Sequence, residues 1–443
     1  GEHSGNRILV RIDELTNPAI RKTAMQTSRS YRNYVLLLLM IVYVFNFVDR
    51  QILVILQESI KAELGLSDKQ LGLLSGFTFA VFYVVCGIPI ARLADRYNRV
   101  NIVSVSIAVW SAMTAISAFV GNFWQLLAAR IGVGVGEAGA SPPSHSIISD
   151  YFPHGERGRA LSFYSMGIYI GILVGFLLGG WINQFFGWRM AFLVVGLPGI
   201  LMAVVVKLTL REPLRGQLDS GDHAEAPSTD FIADLKWIWA LKSFRYAALA
   251  AGFNAFLGYG ALNFMPSFAI RIYEVPVGLV GTWLALIAGL AGAAGVYAGG
   301  HLSDKYCKRD DRWAYWVPGI STLVAGLLVL PTMLAGNQYI MWGFYALVTL
   351  SHSMFLGPTI AMAHALVGPR YRALSSSVLF FVLNIIGLGL GPLTVGTISD
   401  ALAPSTGVNS IRWAIMSTAL AAFIGAALYF NACLLYTSPS PRD

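Results

Sequence analysis

Ala91-Arg92-Leu93-Ala94-Asp95-Arg96-Tyr97-Asn98-Arg99 is a short basic stretch between two apolar runs, and part of it occurs twice in the chain. Leu93-Ala94-Asp95-Arg96-Tyr97 recurs as Leu302-Ser303-Asp304-Lys305-Tyr306, 209 residues later. A second segment behaves alike: Arg157-Gly158-Arg159-Ala160-Leu161-Ser162 recurs as Arg370-Tyr371-Arg372-Ala373-Leu374-Ser375, 213 residues later. Two independent matches at nearly one period predict two repeated halves.

The apolar runs around these loops set the class. Of 443 residues, 56% are hydrophobic and 12% charged, roughly half the charged fraction of a soluble domain. The charges are bunched, and between the bunches lie stretches of about 20 apolar residues, enough to cross a hydrocarbon core of about 30 Å. Such stretches predict twelve spans near 33–57, 70–91, 101–120, 124–148, 160–184, 189–210, 244–271, 277–300, 313–333, 338–366, 374–401 and 410–431. The 45 glycines suit helices that pack closely in lipid. The expected fold is therefore an all-α membrane protein of two six-helix halves, 33–210 and 244–431. These are flanked by a polar segment 1–32, a linker 211–243 and a tail 432–443 that looks foreign to the fold.

Lys and Arg set the orientation. Arg92, Arg96, Arg99, Arg157, Arg159, Lys305, Lys308, Arg309, Arg312, Arg370 and Arg372 fall on the side of the termini. The opposite loops hold little beyond Lys61, Lys69, Arg271 and Arg412. The positive-inside rule places both termini in the cytoplasm. The formal net charge of +8 does not point to nucleic acid, because the basic residues occupy short loops between spans. Cys86, Cys307 and Cys433 fit neither a metal site nor a disulfide framework, and the first 32 residues do not read as a cleavable signal peptide. In the linker, Thr229 is a candidate cap for a short helix with Phe231, Leu235, Ile238 and Trp239 on one face and Lys236 and Lys242 outside it. A helix on the inner leaflet and a plain linker both remain open.

The segment Ala91–Arg99 resembles the loop signature of the major facilitator superfamily between its second and third helices. It departs at Ala91 and Asn98, where glycine is common; the second copy keeps its leading glycine as Gly300. A narrower resemblance is to the spinster family. It rests on Val48-Asp49-Arg50 in the first span and Ala129-Arg130-Ile131-Gly132-Val133-Gly134-Val135-Gly136-Glu137-Ala138 in the fourth. Ser149-Asp150-Tyr151-Phe152-Pro153 and Phe186-Gly187-Trp188-Arg189 add to it. The resemblance implies a twelve-helix major facilitator fold with pseudo-symmetric halves, alternating access, and proton-linked export of lysophospholipids and sphingolipid phosphates. It further implies a bacterial inner-membrane protein and a gating role for Asp95, Arg96, Arg99 and Asp304 at the cytoplasmic face. There Asp95 and Asp304 would sit against helix N-termini of the other half.

Four ionisable residues fall inside first-half spans: Asp49, Arg50, Arg130 and Glu137. Each is costly in lipid and is expected to face a cavity or a partner. Asn46, Asp49, Arg50 and Leu53 share one helical stripe; Arg130, Gly134 and Glu137 share another. Arg130 and Glu137 are two turns apart, roughly 10 Å. Antiparallel depth pairs Asp49 with Arg130. That leaves Arg50 or Arg130, with Asn46, to bind an anionic headgroup, and Glu137 with Asp49 to carry the proton. An arginine that moves would change the proton affinity of either acid. A structural ion-pair cluster is the alternative. The second half offers Asn254, Asn263, His352, His364 and Asn384 among Phe253, Phe256, Phe264, Phe380 and Phe381, a greasier wall suited to an acyl chain. Gly134-Val135-Gly136-Glu137-Ala138-Gly139 spells a dinucleotide fingerprint but follows no strand, so close helix packing explains it better.

No catalytic residues, metal or cofactor are expected. Expected partners are protons, an amphiphilic lipid-like substrate and membrane lipids, with no nucleic acid, and the chain is expected to be a monomer. A proton-coupled carrier of small organic anions or drugs and a non-transporting membrane receptor are the competing functions. The two-half repeat with a gate signature in each half argues against the receptor.

Overall fold

Inside a bilayer every backbone N–H and C=O must be paired within the chain, which leaves apolar sequence of this kind the helix as its open-ended solution. The computed structural model describes residues 28–215, 231–367 and 371–437, and none of them is in a β-strand. The helices line up as twelve rods: α1 Arg29–Leu64, α2 68–96, α3 Arg99–Ser117, α4 123–151, α5 His154–Phe186, α6 Trp188–Thr209, α7 Lys242–Tyr273, α8 Val277–Cys307, α9 Trp313–Leu334, α10 Gln338–Val367, α11 372–406 and α12 410–437. Among the described residues nine helical stretches are long and apolar enough to cross a membrane, and the longest, Leu374–Tyr436, takes in most of α11 and of α12.

Several boundaries differ from expectation. α1 begins at Arg29, where Ser28 caps it by accepting from Tyr31 N–H at 3.2 Å, and it ends in Gly65 at φ 66°. α12 continues through Thr437, with Ala432 fully buried and the Tyr436 ring 5.5 Å from Tyr315. The first residues of the tail expected to be foreign, 432–437, are thus part of α12, and residues 438–443 lie outside the described part. The linker does form a helix, Phe231–Ala240, and it docks on the second half: Ile238 is fully buried and the Trp237 ring lies 4.8 Å from Tyr371. Leu235, expected on the same stripe, is exposed. Thr229 and the acidic part of the linker lie outside the described residues.

The repeat is visible in the backbone. α4 is broken between Phe123–Glu137 and Ser141–Tyr151, and α10 between Gln338–Ser353 and Leu356–Val367. Each begins at an asparagine cap, Asn122 and Asn337, 215 residues apart, whose side chain accepts from the N–H three residues on. Ser141-Pro142-Pro143 explains why α4 restarts: proline suits a first helical turn and cannot continue the one before. α2, α8 and α11 each hold a π-helical segment, at Leu73–Phe77, Ile287–Ala291 and Leu383–Leu390.

The halves meet where glycine lets backbones touch. A Cβ on Gly76 of α2 would fall 2.5 Å from the Leu388 carbonyl oxygen of α11, and one on Gly281 of α8 would fall 2.3 Å from that of Phe176 in α5. Within the first half, a Cβ on Gly136 of α4 would lie 2.7 Å from the Trp110 backbone nitrogen of α3, so the glycine run of α4 is close packing. Overpacking of this kind costs about 1–3 kcal/mol. Gly136→Ala is accordingly expected to lower the melting temperature of the detergent-purified protein by several degrees; an unchanged melt would mean that α3 and α4 are not in register here.

Candidate functional site

The stripe expected on α1 faces α4, and the four charges form two pairs. Arg130 Nη1 lies 3.3 Å from Asp49 Oδ1, whose other oxygen accepts from the Thr114 hydroxyl of α3. One turn nearer the termini, Arg50 Nε donates to Glu137 Oε2 at 2.6 Å. Glu137, Asp49 and Arg130 are 0%, 1% and 2% exposed. Burying such charges is tolerable only when each meets an opposite charge with good geometry. The Asp49–Arg130 pairing is as expected. The freedom expected of Glu137 and of one arginine is not found, because Arg50 is held by Glu137 while Arg130 is held by Asp49.

Arg50 is nevertheless special. Its guanidinium carbon sits 4.9, 4.8 and 4.9 Å from the ring centroids of Phe47, Phe79 and Tyr83, a three-sided aromatic cage. Its side chain stays 16% exposed. It opens into a cavity that also touches Phe47, Phe79 and Arg130 from the first half and Tyr259, Leu262 and Leu388 from the second. The cavity is charged on one wall and largely apolar on the other. Asn46 is not on it. Asn46 is fully buried with neither amide atom partnered. Asp49 and Glu137 are also one layer back.

The second half contributes polar packing. Asn254 donates to the His352 carbonyl at 3.2 Å and accepts from the Thr322 hydroxyl at 3.1 Å. His352 fills the space above Gly258, and His364 bonds Ser376 at 2.6 Å.

A clasp that the sequence reading missed closes the end away from the termini. Arg271 of α7 holds Glu58 of α1 at 3.0 and 2.6 Å and Asp68 of α2 at 2.7 and 2.6 Å. Lys61 and Ser399 reach Asp68 at 2.5 and 2.6 Å. Asp400 of α11 caps α2, accepting from the N–H groups of Asp68 and Lys69 at 2.9 and 2.8 Å. Beside them Gln57 bonds Asn263 and Ser267, Gln184 bonds Gly278, and Trp181 bonds Thr282. Apart from the Lys61–Asp68 pair, which lies within the first half, these bonds cross between the halves, and all lie in the part of the bundle away from the termini. Charges at span ends are cheap in lipid, so composition gave them no prominence; the capping box at Ser67 and Gln70 was the local signal that something is fixed there.

The expected gate residues fare differently. Arg99 is 2% exposed and ties the first half to itself: it bonds Asp150 at 2.5 Å, Glu212 at 2.7 Å and the Pro213 carbonyl at 3.1 Å. It is thus corrected from a contact between halves to a brace within one, because the chain after α6 folds back over the ends of α3 and α4. Arg96 and Asp304 are exposed. The Asp95 side chain lies outside what is described.

The sequence profile of the Major Facilitator Superfamily matches residues 39–392. A solved structure described as a bacterial homolog to the human lysosomal transporter Spinster, inward-facing and unoccupied, aligns at TM-score 0.86 and 33% identity, covering 94% of this chain and 100% of that one. An MFS-type efflux pump of Mycolicibacterium smegmatis (strain ATCC 700084 / mc(2)155) is 30% identical over 404 residues, 90% of this chain and 92% of that protein. The probable galactarate/D-glucarate transporter GudP of Bacillus subtilis (strain 168) is 28% identical over 422 residues, 88% and 89% of the two. With a repeated twelve-helix fold, a cavity between its halves and these similarities, the chain belongs to the major facilitator superfamily of membrane transporters, as a spinster-like member.

Proposed function

We propose that the chain is a proton-coupled carrier of lysolipid-like or sphingolipid-like amphiphiles, working by alternating access in a bacterial inner membrane with both termini in the cytoplasm. One observation carries this reading: the caged guanidinium of Arg50 reaches the cavity while its Nε holds the buried Glu137. An anionic headgroup in the cavity competes for Arg50. A carboxylate left unpaired in a dry interior is tolerable only in its neutral form, so headgroup binding draws a proton onto Glu137. Linkage makes the effect reciprocal: protonation of Glu137 releases Arg50 for the headgroup. The apolar wall of Tyr259, Leu262 and Leu388 suits the tail of an amphiphile.

The test is equilibrium binding of lysophosphatidylglycerol to the purified protein across a pH series. Affinity in the wild type is expected to rise at least tenfold as pH falls, and to be independent of pH in Glu137→Gln. Equal pH dependence in both would refute the coupling.

A second reading, transport of small organic acids, is favoured by the similarity to the sugar-acid transporter, since Arg50 can hold a carboxylate that has no tail. In proteoliposome flux, competition by lysophosphatidylglycerol supports the first reading, and competition by galactarate alone supports the second.

A further inference from the structure

Glu137 has no contact with the cavity, and Arg50, which stands between them, keeps its protons at any ordinary pH and cannot relay one. A proton needs another way to Glu137. Polar groups run from it toward the face bearing the termini. On α1, Tyr43, Asn46 and Arg50 share a stripe at i, i+3 and i+7; on α4, Glu137, Ser141 and His145 stand at i, i+4 and i+8. From α5, the Tyr164 ring stacks on Tyr43 at 4.4 Å and meets His145 edge-on at 5.2 Å. The Ser141 hydroxyl sits beside both phenols.

Three buried atoms of this column are unpartnered, both amide atoms of Asn46 and Oε1 of Glu137, and the Tyr164 hydroxyl lies beside those of Ser141 and Ser144. Asn46 is 0% and Tyr164 1% exposed, whereas His145 at the far end is exposed. Leaving buried polar groups unpaired is costly, and ordered water is their usual partner. Asn46 and Tyr164 each both donate and accept, as a hydrogen-bonded relay requires. The charged neighbours are Arg50, which faces Glu137 from α1, with Asp49 and Arg130 behind it; Tyr83 of α2 faces Arg50, and Tyr164 faces His145.

We propose that Asn46, Ser141, Tyr164 and His145 hold a chain of water molecules that conducts protons between Glu137 and the face bearing the termini. This rests on the reading of Glu137 as the proton site. Asn46 and Tyr164 are positioning residues for the water; neither touches substrate.

The experiment is infrared hydrogen–deuterium exchange on the purified full chain in nanodiscs, and it needs no substrate. The protonated carboxyl band that Glu137→Gln removes is assigned to Glu137, and its deuteration rate is followed. Tyr164→Phe, which keeps both ring contacts, and Asn46→Leu are each expected to slow it at least tenfold; Asn46→Ser, which still binds water, is expected to restore the rate to within about threefold. If Glu137→Gln removes no band at any pH, the proton-site reading fails. If the band exists and its exchange is as fast in Tyr164→Phe and Asn46→Leu as in the wild type, the path is wrong while that reading stands. Should Asn46→Leu be too unstable to purify, Tyr164→Phe decides alone.

Discussion

Arg271→Gln is expected to open the end of the bundle away from the termini. The substitution removes all four bonds that join α7 to Glu58 and Asp68. It also leaves two carboxylates facing each other, with Lys61 as the cation bonded to one of them. Truncating one partner of a hydrogen-bonded charge pair at an interface costs about 2–5 kcal/mol, and 1.4 kcal/mol is a factor of about ten in an equilibrium. The closed-to-open ratio therefore falls by roughly thirtyfold or more. The check is a single cysteine at Leu262, in a background without Cys86, Cys307 and Cys433, reacted with an impermeant maleimide from the face opposite the termini. Labelling at least tenfold faster in Arg271→Gln supports the clasp; an equal rate would show that glycine-mediated backbone packing alone closes this end. Asp400→Asn is expected to act in the same direction more weakly, since an amide still accepts from the α2 N–H groups but lacks the charge that favours a helix N-terminus.

Arg50→Lys is expected to lose most high-affinity binding of lysophosphatidylglycerol. The planar guanidinium spreads over three rings while one edge bonds Glu137. A lysine ammonium is a compact, strongly hydrated charge that cannot hold a carboxylate on one edge and offer a second edge to a headgroup. The expected weakening is more than tenfold in direct binding. Arg50→Ala should do the same and should also abolish the pH dependence, because the guanidinium that links Glu137 to the cavity is gone. Wild-type affinity in Arg50→Lys would mean that the headgroup is held elsewhere, with Arg130, which also lines the cavity, the first place to look.

The sequence showed the repeat, the twelve spans and the four costly charges because each is a local pattern: apolar length, a doubled loop, an ionisable side chain where lipid should be. It also paired Asp49 with Arg130, since depth along an antiparallel helix follows from rise per residue. The Arg50–Glu137 pair was not legible, because Asp49 and Arg50 are neighbours while Arg130 and Glu137 stand two turns apart, so rise per residue alone does not bring both pairs together. The clasp was illegible for a different reason. Asp68 and Arg271 are 203 residues apart, and Asp68 and Asp400 332; their charges sit at span ends, where topology alone accounts for them. Arg99 looked like a gate because it stands in a loop signature, and only the fold shows Glu212 and Asp150 closing around it.

The central claim is that Glu137 couples proton movement to transport. It is tested by accumulation of lysophosphatidylglycerol in proteoliposomes, with and without an imposed pH gradient, for wild type and Glu137→Gln. The account predicts that the gradient drives accumulation against concentration in the wild type, and that Glu137→Gln equilibrates the lipid at a rate the gradient does not change. Gradient-driven accumulation by Glu137→Gln at the wild-type rate would contradict it.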